Sequence, residues 1–210
     1  MSDYPLEGLY AITDSQLMPD DQSLLEKMEQ TLQGGTRIVQ YRDKSTDNHK
    51  RLRQASALND LCKHYQVPLL INDDALLAKT SGAAGVHLGQ SDGLVAGARE
   101  LLGKHAIIGV TCHDNLNYGL IAEAAGADYI AYGAFYTSKT KPDARPAPLL
   151  LLGESKSRIK LPTVAIGGIT VDNAAQTLSA GADMLAVVHS LLAAEQIEQQ
   201  ARRFSQLFSN

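Results

Sequence analysis

A short phrase that occurs four times constrains the fold of this chain more than any other feature. It reads G-G-T-R-I-V from Gly34, G-A-A-G-V-H from Gly82, G-A-D-Y-I-A from Gly126 and G-A-D-M-L-A from Gly181. Each copy is a glycine that ends a helix, followed at once by a buried strand. Because the copies lie roughly 50 residues apart, each accounts for about two strand–helix units. The repeat therefore predicts eight strands.

The apolar runs of the chain are typical of parallel strands. They are rich in β-branched residues and do not alternate with polar residues, as expected for strands buried on both faces. The expected strands are residues 9–13, 37–41, 69–72, 85–88, 107–112, 129–135, 163–166 and 184–188, with helical segments between them, the last one over about 195–208. This order predicts an α/β fold, a (β/α)8 TIM barrel with a single domain over residues 1–210. The alternative is an open doubly wound sheet.

Composition limits the partners and the compartment. The 210 residues are 44% hydrophobic, which is enough for one core, and the net charge is -4. This acidic balance argues against a nucleic-acid or membrane partner. The two cysteines, Cys62 and Cys112, are too few for a disulfide framework or a thiolate metal site. Without a signal-like N-terminus or a long apolar run, we expect a cytoplasmic protein.

Polar residues follow the predicted strands. The loops that precede the strands are mostly short and contain a glycine that ends the preceding helix. In a TIM barrel, functional side chains lie on the loops after the C-terminal ends of the strands. The residues in these positions are Arg42, Lys44, Asn72, Asp73, Gln90, Asp92, Thr111, His113, Ser138, Thr140, Lys141, Gly167, Gly168, His189 and Ser190. This asymmetry predicts an enzyme.

Two carboxylates indicate a metal site. Asp73 and Asp92 leave adjacent predicted strands, so both carboxylates can reach one cation. Carboxylates without thiolates or imidazoles suit a hard ion, most naturally Mg²⁺ completed by water and phosphate oxygens. The alternative is that Asp73 is a helix cap and Asp92 a turn residue.

Basic residues after the second predicted strand indicate an anion site. Arg42 and Lys44 lie two positions apart and can face the same side, where Arg can bind an oxyanion through two hydrogen bonds. The alternative is a surface set of salt bridges with Asp43 and Asp47. Further along the chain, hydroxyls and an ammonium suited to phosphate follow the sixth strand, and the Gly167–Gly168 turn offers backbone amides to a second phosphate.

The histidines fall into two groups. His87 lies inside the fourth predicted strand, so we expect a hydrogen-bonded core residue rather than a base. His113 and His189 follow strands at the active rim, where they could bind substrate or transfer protons. Residue type and position alone do not assign either of them a catalytic role.

Motifs along nearly the whole chain resemble the thiamine-phosphate synthase family, also called thiamine monophosphate pyrophosphorylase. In chain order they are L-Y-A-I-T-D, Q-Y-R-D-K, I-N-D-D, G-V-H-L-G-Q-S-D, I-I-G-V-T-C-H, T-S-K-T-K-P and A-I-G-G-I-T. The resemblance implies a TIM-barrel transferase of thiamine biosynthesis. With Mg²⁺, such an enzyme joins a hydroxymethylpyrimidine diphosphate to a thiazole phosphate and releases pyrophosphate.

The same resemblance implies the role of each site residue. For the pyrimidine diphosphate it implies Gln40, Tyr41, Arg42, Asp43, Lys44, Asn72, Thr111 and Lys141. Within that set, it implies catalytic roles for Arg42, Lys44, Thr111 and Lys141. For the thiazole phosphate it implies Ser138, Lys139, Thr140, Gly168, Val188 and His189, and for Mg²⁺ it implies Asp73 and Asp92. Thr111 and His189 both stand where the family often has serine.

Two rival functions remain at this point. A thiazole tautomerase of the same superfamily would keep the barrel but would not need the diphosphate-binding residues, whose presence speaks against it. A catalytically silent phosphate-binding barrel is the other. Pyrophosphate release from the two candidate substrates with Mg²⁺ separates all three. The expected partners are small phosphorylated substrates, and the sequence leaves monomer and dimer open.

Overall fold

A computed structural model describes residues 4–137 and 146–208 as a closed barrel of parallel strands. The strands are β1 (Gly8–Ile12), β2 (Ile38–Tyr41), β3 (Leu69–Asn72), β4 (Gly85–Leu88), β5 (Ile107–His113), β6 (Tyr129–Tyr132), β7 (Thr163–Ile166) and β8 (Met184–Val187). Each strand pairs with the next, and β8 pairs with β1. The predicted (β/α)8 barrel is confirmed, and the open-sheet alternative is wrong.

Helices surround the barrel and connect successive strands. They are α1 (Asp21–Gln33), α2 (Asn48–His64), α3 (Ala75–Ser81), α4 (Val95–Leu102), α5 (Leu116–Ala124), α6 (Leu150–Arg158), α7 (Val171–Ser179), α8 (His189–Leu192) and α9 (Ile197–Ser205), followed by a 3₁₀ turn at Gln206–Phe208. Within the described ranges, no helix has the length and apolar character needed to cross a bilayer.

The structure differs by more than one residue from the expected strands and last helix in two places. The sixth strand ends at Tyr132 instead of residue 135, although Phe135 is still buried between strands and helices and its amide donates to the Ile166 carbonyl at 3.2 Å. The last predicted helix begins at Ile197, after a four-residue helix, α8, that the pattern does not indicate. At the sixth strand burial continues beyond the regular element, so hydrophobicity alone does not mark its end.

Strand alternation divides the buried residues between two cores. The larger core lies between the strands and the helices. The smaller core fills the barrel interior and consists of Tyr10, Ile12, Ile38, Leu70, Ile107, Tyr129, Ala131, Val164, Met184 and Ala186. Gln40 and His87 are also buried, and both hydrogen-bond to tyrosines of this inner core. Polar groups therefore reach into the apolar interior.

The repeated Gly-Ala-Asp phrase closes the N-terminal rim of the barrel. The Asp128 amide donates to the Ile108 carbonyl, and its carboxylate accepts from the Ile108 amide, each at 2.8 Å. Asp183 makes the same two bonds to Thr163, each at 2.9 Å. Arg99 also donates to the Asp128 carboxylate at 2.6 Å. The repeat thus serves stability and lies away from the rim where the strands end.

Replacing Asp128 with alanine should destabilise the fold. The Ile108 amide and the Arg99 guanidinium would both lose an acceptor, and leaving such groups unsatisfied costs about 1–3 kcal/mol. The free energy of unfolding from urea denaturation measures this loss. The control is Asp60→Ala, because Asp60 is 80% exposed and its ion pair with Lys63 spans 3.8 Å; its effect should stay within about 0.5 kcal/mol. Equal effects of the two substitutions would contradict the expectation.

Candidate active site

The C-terminal mouth, defined as the rim where the strands end, gathers polar side chains from β2 to β5. Gln40 is buried on β2, and Asn72 on β3 lies opposite His87 on β4. His87 donates or accepts through both ring nitrogens, with Tyr129 and Thr111 as partners at 2.8 Å. Burial lowers the pKa of His87 to about 4, so this ring is neutral at physiological pH. His87 is the hydrogen-bonded core residue that its position predicts.

Asp73 and Asp92 face the same space at this mouth. A Cβ built on Gly89 would lie 2.3 Å from an Asp92 oxygen and 4.0 Å from an Asp73 oxygen. The Gly89 amide donates to the Asp92 carboxylate at 2.9 Å. Asp92 therefore also has the role of a turn residue, which was the alternative to a metal ligand. Partial removal from water and the facing Asp73 carboxylate raise the pKa of Asp92. The fold therefore brings the two predicted metal ligands together.

Asp73 is held in an uncommon backbone conformation. Its φ is +63°, and the Asp74 amide donates to the Asn72 carbonyl across it at 2.9 Å, which makes a tight three-residue turn. Asp74 caps α3 by accepting from the Leu77 amide at 2.8 Å. The helix-cap alternative for Asp73 is therefore wrong, because the cap is the next residue. Strained backbone of this kind is typical of functional sites.

Lys44 forms an ion pair with Asp73 across the mouth. Burial acts to raise the pKa of Asp73, but hydrogen bonds from Lys44 and with Asp92 outweigh it and lower this pKa. Lys44 itself is 58% exposed, so the ammonium is accessible to an incoming anion. One cation and two carboxylates thus share the mouth.

The loop that carries Arg42 is fixed through its backbone. Thr13 at the end of β1 accepts from the Arg42 amide at 2.8 Å and donates to its carbonyl at 3.3 Å. The Arg42 side chain is exposed and takes part in none of the ion pairs found over residues 4–137 and 146–208. Its guanidinium is therefore not engaged by an acid of these residues.

The surface salt-bridge alternative for this loop is wrong. Asp43 pairs with Lys50 at 3.0 Å, and Asp47 caps α2 by accepting from the Lys50 amide at 2.9 Å. Neither acid is paired with Arg42 or Lys44. The two basic side chains are left for the mouth, as the anion-site interpretation requires.

Two members of the predicted diphosphate set point away from the mouth. Tyr41 follows the inward-facing Gln40, so strand alternation turns it outward, where its hydroxyl donates to Gln54 at 2.9 Å. Asp43 turns back to Lys50 and accepts from the Ser45 amide at 2.7 Å. Only backbone groups of Tyr41 and Asp43 could reach a ligand at the mouth.

The predicted thiazole-phosphate set is partly described. Ser138, Lys139, Thr140 and Lys141 lie outside the described residues. Gly168 has a φ of +66°, and a Cβ there would lie 2.6 Å from the Thr137 carbonyl, so only glycine fits. Gly168 follows β7, Val188 and His189 follow the neighbouring strand β8, and His189 is exposed. These three positions share one side of the mouth.

The sequence interpretation missed a set of tyrosines beneath the mouth. Tyr10 and Tyr129 look like ordinary strand residues, yet their hydroxyls bond each other at 2.9 Å inside the barrel. The signal that could have found them is Gly109 within β5, because glycine weakens a strand unless another group approaches closely. Thr13, which fixes the Arg42 loop, carries no such signal.

The donor set at the mouth fits Mg²⁺. Across the described part of the chain, no group of three or more His, Cys, Asp or Glu side chains could hold a metal. A site built from Asp73 and Asp92 would therefore leave most coordination positions to water and phosphate oxygens. Mg²⁺ is usually bound in this way, by one or two carboxylates with substrate phosphates.

Comparison with known proteins gives a consistent family. A family model described as thiamine monophosphate synthase matches residues 9–191. Two curated proteins named thiamine-phosphate synthase are each 52% identical to this chain. The protein from Saccharophagus degradans aligns over 92% of this chain and 89% of its own length. The protein from Marinobacter nauticus aligns over 96% of this chain and 91% of its own length. The structure of thiamine phosphate pyrophosphorylase from Pyrococcus furiosus superposes with a TM-score of 0.86 at 31% identity, covering 96% of this chain and 95% of that one.

Substitutions at the adjacent positions 73 and 74 should affect different properties, the first metal binding and the second stability. Asp73→Asn tolerates the positive φ but removes a charged ligand, so binding of Mn²⁺ with pyrophosphate, followed by electron paramagnetic resonance, should weaken on the order of tenfold or more. Asp74→Ala removes the cap of α3 and should lower the free energy of unfolding by about 1 kcal/mol with Mn²⁺ binding unchanged. Similar losses of Mn²⁺ affinity in both variants would contradict this assignment.

Proposed function

Because this chain belongs to the thiamine monophosphate synthase family, and so condenses pyrimidine and thiazole phosphates in thiamine biosynthesis, we propose that the reaction takes place at the mouth described above, with Mg²⁺. The substrates are 4-amino-2-methyl-5-(diphosphooxymethyl)pyrimidine and 4-methyl-5-(2-phosphooxyethyl)thiazole, and the products are thiamine phosphate and pyrophosphate. The observation that carries this proposal is the pairing of Asp73 and Asp92 beside the Lys44 ammonium.

The chemistry sets the demands on the site. Breaking the bond between the pyrimidine methylene carbon and the diphosphate oxygen leaves negative charge on the departing group and positive charge on the methylene carbon. Mg²⁺ bound to Asp73 and Asp92 would neutralise charge on the diphosphate as it develops. The mechanism is therefore a dissociative displacement, in which stabilising pyrophosphate and excluding water matter most.

The basic side chains act on the departing pyrophosphate. Arg42 can bind its oxygens through two parallel hydrogen bonds, and Lys44 adds a compact charge next to Asp73. The family resemblance assigns Lys141 to the same group. The hydroxyl of Thr111, at the inner end of the mouth, supplies a hydrogen bond to the pyrimidine diphosphate. These groups together stabilise the leaving group more as its charge grows.

The thiazole is positioned by its phosphate at the other side of the mouth. Gly168 offers backbone at a turn too tight for any side chain, and His189 begins the segment after β8. The family resemblance adds Ser138, Lys139, Thr140 and Val188. An anchored phosphate holds the ring nitrogen near the methylene carbon, so that proximity supplies much of the rate. No covalent enzyme intermediate and no general base are needed.

The cellular setting is part of the proposal. We place the reaction in the cytoplasm, with small phosphorylated molecules as partners. Cys62 and Cys112 are both free and buried, and burial raises the pKa of each thiol to about 12. Unpaired thiols are typical of a reducing compartment, which supports this placement.

The assay mixes both substrates with Mg²⁺ and measures pyrophosphate and thiamine phosphate. The unmodified protein should release both, whereas Asp92→Ala should lower kcat roughly 100-fold or more, since charge on the leaving group would lose its counter-ion. The control Asp60→Ala, far from the mouth on α2, should keep full activity.

Three results would argue against the proposal. A silent binding barrel would release no pyrophosphate from any mixture. A tautomerase would convert a thiazole phosphate isomer without the pyrimidine. Undiminished activity of Asp92→Ala, with its fold checked by circular dichroism, would remove Asp92 from the metal site while leaving the family assignment in place.

A further inference from the structure

A continuous chain of hydrogen bonds crosses the barrel interior beneath the mouth. The Gln40 side-chain amide donates to the Tyr10 hydroxyl at 2.6 Å, and the Tyr10 and Tyr129 hydroxyls bond each other at 2.9 Å. The Tyr129 hydroxyl meets Nδ1 of His87, and Nε2 of His87 meets the Thr111 hydroxyl, each at 2.8 Å. Both ends of this chain, Gln40 and Thr111, belong to the proposed pyrimidine diphosphate site.

The interior is built to hold this chain. Tyr10 and Tyr129 are at most 1% exposed, and their rings meet edge to face with centroids 6.1 Å apart. A Cβ on Gly109 would lie 2.3 Å from the Tyr129 hydroxyl oxygen, so any other residue at position 109 would displace the Tyr129 ring. Gly109 in the middle of β5 thus has a specific purpose, which is to let the Tyr129 hydroxyl reach His87.

The order of donors and acceptors gives the chain a direction. The Gln40 amide nitrogen is a donor only, so Tyr10 accepts from it. Because the Tyr10 hydroxyl is buried, its own proton needs an acceptor, and the Tyr129 hydroxyl is the partner in reach. Tyr129 then donates to Nδ1 of His87. A neutral imidazole that accepts at Nδ1 carries its proton on Nε2, where it donates to the Thr111 hydroxyl.

A charged His87 does not fit the same partners. An imidazolium would donate from both nitrogens, so Tyr129 would accept from His87 and from Tyr10 together. The proton of Tyr129 would then have no acceptor in a fully buried position, at a cost that native interiors avoid. The neutral tautomer satisfies every bond in the chain.

We infer that Tyr129 is a positioning residue, which acts through His87 to leave the proton of the Thr111 hydroxyl free to donate into the mouth. The hydroxyl of Thr111 accepts from His87, so its own proton is directed toward an oxygen of the bound pyrimidine diphosphate. This inference rests on the proposed function for the identity of that ligand. The direction of the chain beneath it is independent of the ligand.

Nitrogen-15 spectra of histidine-labelled protein test the direction without any substrate. The His87 signals, assigned by their loss in His87→Gln, should show a proton on Nε2 and a bare Nδ1. In Tyr129→Phe, Nδ1 loses its donor, so the His87 signals should shift toward a mixture of tautomers. A proton on Nδ1 in the unmodified protein would reverse both hydrogen bonds of His87 and overturn the inference.

Kinetics with a matched control test the effect on the reaction. Removing an oriented donor costs roughly 100-fold in kcat, and disordering one should cost part of that, so Tyr129→Phe should lower kcat on the order of tenfold. The control is Tyr132→Phe on the same strand. Tyr132 is equally buried but faces the helices, where Ser155 donates to its hydroxyl at 3.3 Å. The kcat of Tyr132→Phe and the His87 spectrum of this variant should not change.

A double substitution tests whether Tyr129 acts on the reaction through Thr111. In a Thr111→Ala protein, a further Tyr129→Phe should not lower kcat any more, because the hydroxyl that Tyr129 positions is already absent. Full additivity of the two losses, or an equal loss in Tyr132→Phe, would overturn the positioning role. If the unmodified protein forms no thiamine phosphate, the proposed function fails, and the His87 spectrum still decides the direction of the chain.

Discussion

The hydrogen-bonded ladder between β1 and β8 is the constraint on which the rest of this structure depends. It pairs residues from Gly8 with Met184 to Ala11 with Val187 and closes a sheet in which all strands run the same way. Closure leaves no free edge, and parallel strands bring every strand exit to one rim. Residues as distant in the chain as Lys44 and Asp73 become neighbours for this reason, with no direct sequence signal of their contact.

The sequence predicts what local patterns encode. Glycine followed by a buried run marks each strand, and the limits of β3, β4 and β7 agree with those expected. Asp73 and Asp92 were predictable as a pair because they follow adjacent strands. Strand alternation could also have shown that Tyr41 faces the helices once Gln40 is placed inward. By contrast, burial without regular structure around Phe135 gives no local signal.

Contacts across the barrel lie beyond such patterns. Tyr10 and Tyr129 are 119 residues apart and have the composition of ordinary strands, so their hydroxyl contact depends on barrel closure and on the register of β1 and β6. The partner of Lys44 is equally non-local, since nearby acids were available and the ammonium bonds Asp73 on the next strand instead. A sequence reports which groups reach the mouth, and only the fold reports which of them meet.

The mouth holds opposing charges that a ligand can rearrange. Two carboxylates that face each other are unfavourable unless a proton or a cation lies between them, and partial burial together with the facing Asp73 carboxylate raises the pKa of Asp92. The ammonium of Lys44 bonds Asp73 directly and acts on Asp92 only through its charge. A divalent ion accompanied by a polyphosphate could satisfy both carboxylates and leave Lys44 to the phosphate oxygens.

The tight turn at Asp73 aims its carboxylate inward, and the cap that Asp74 provides for α3 helps to offset the cost of that turn. Local strain and facing charges at this rim are therefore the features that the proposed metal–diphosphate complex would require.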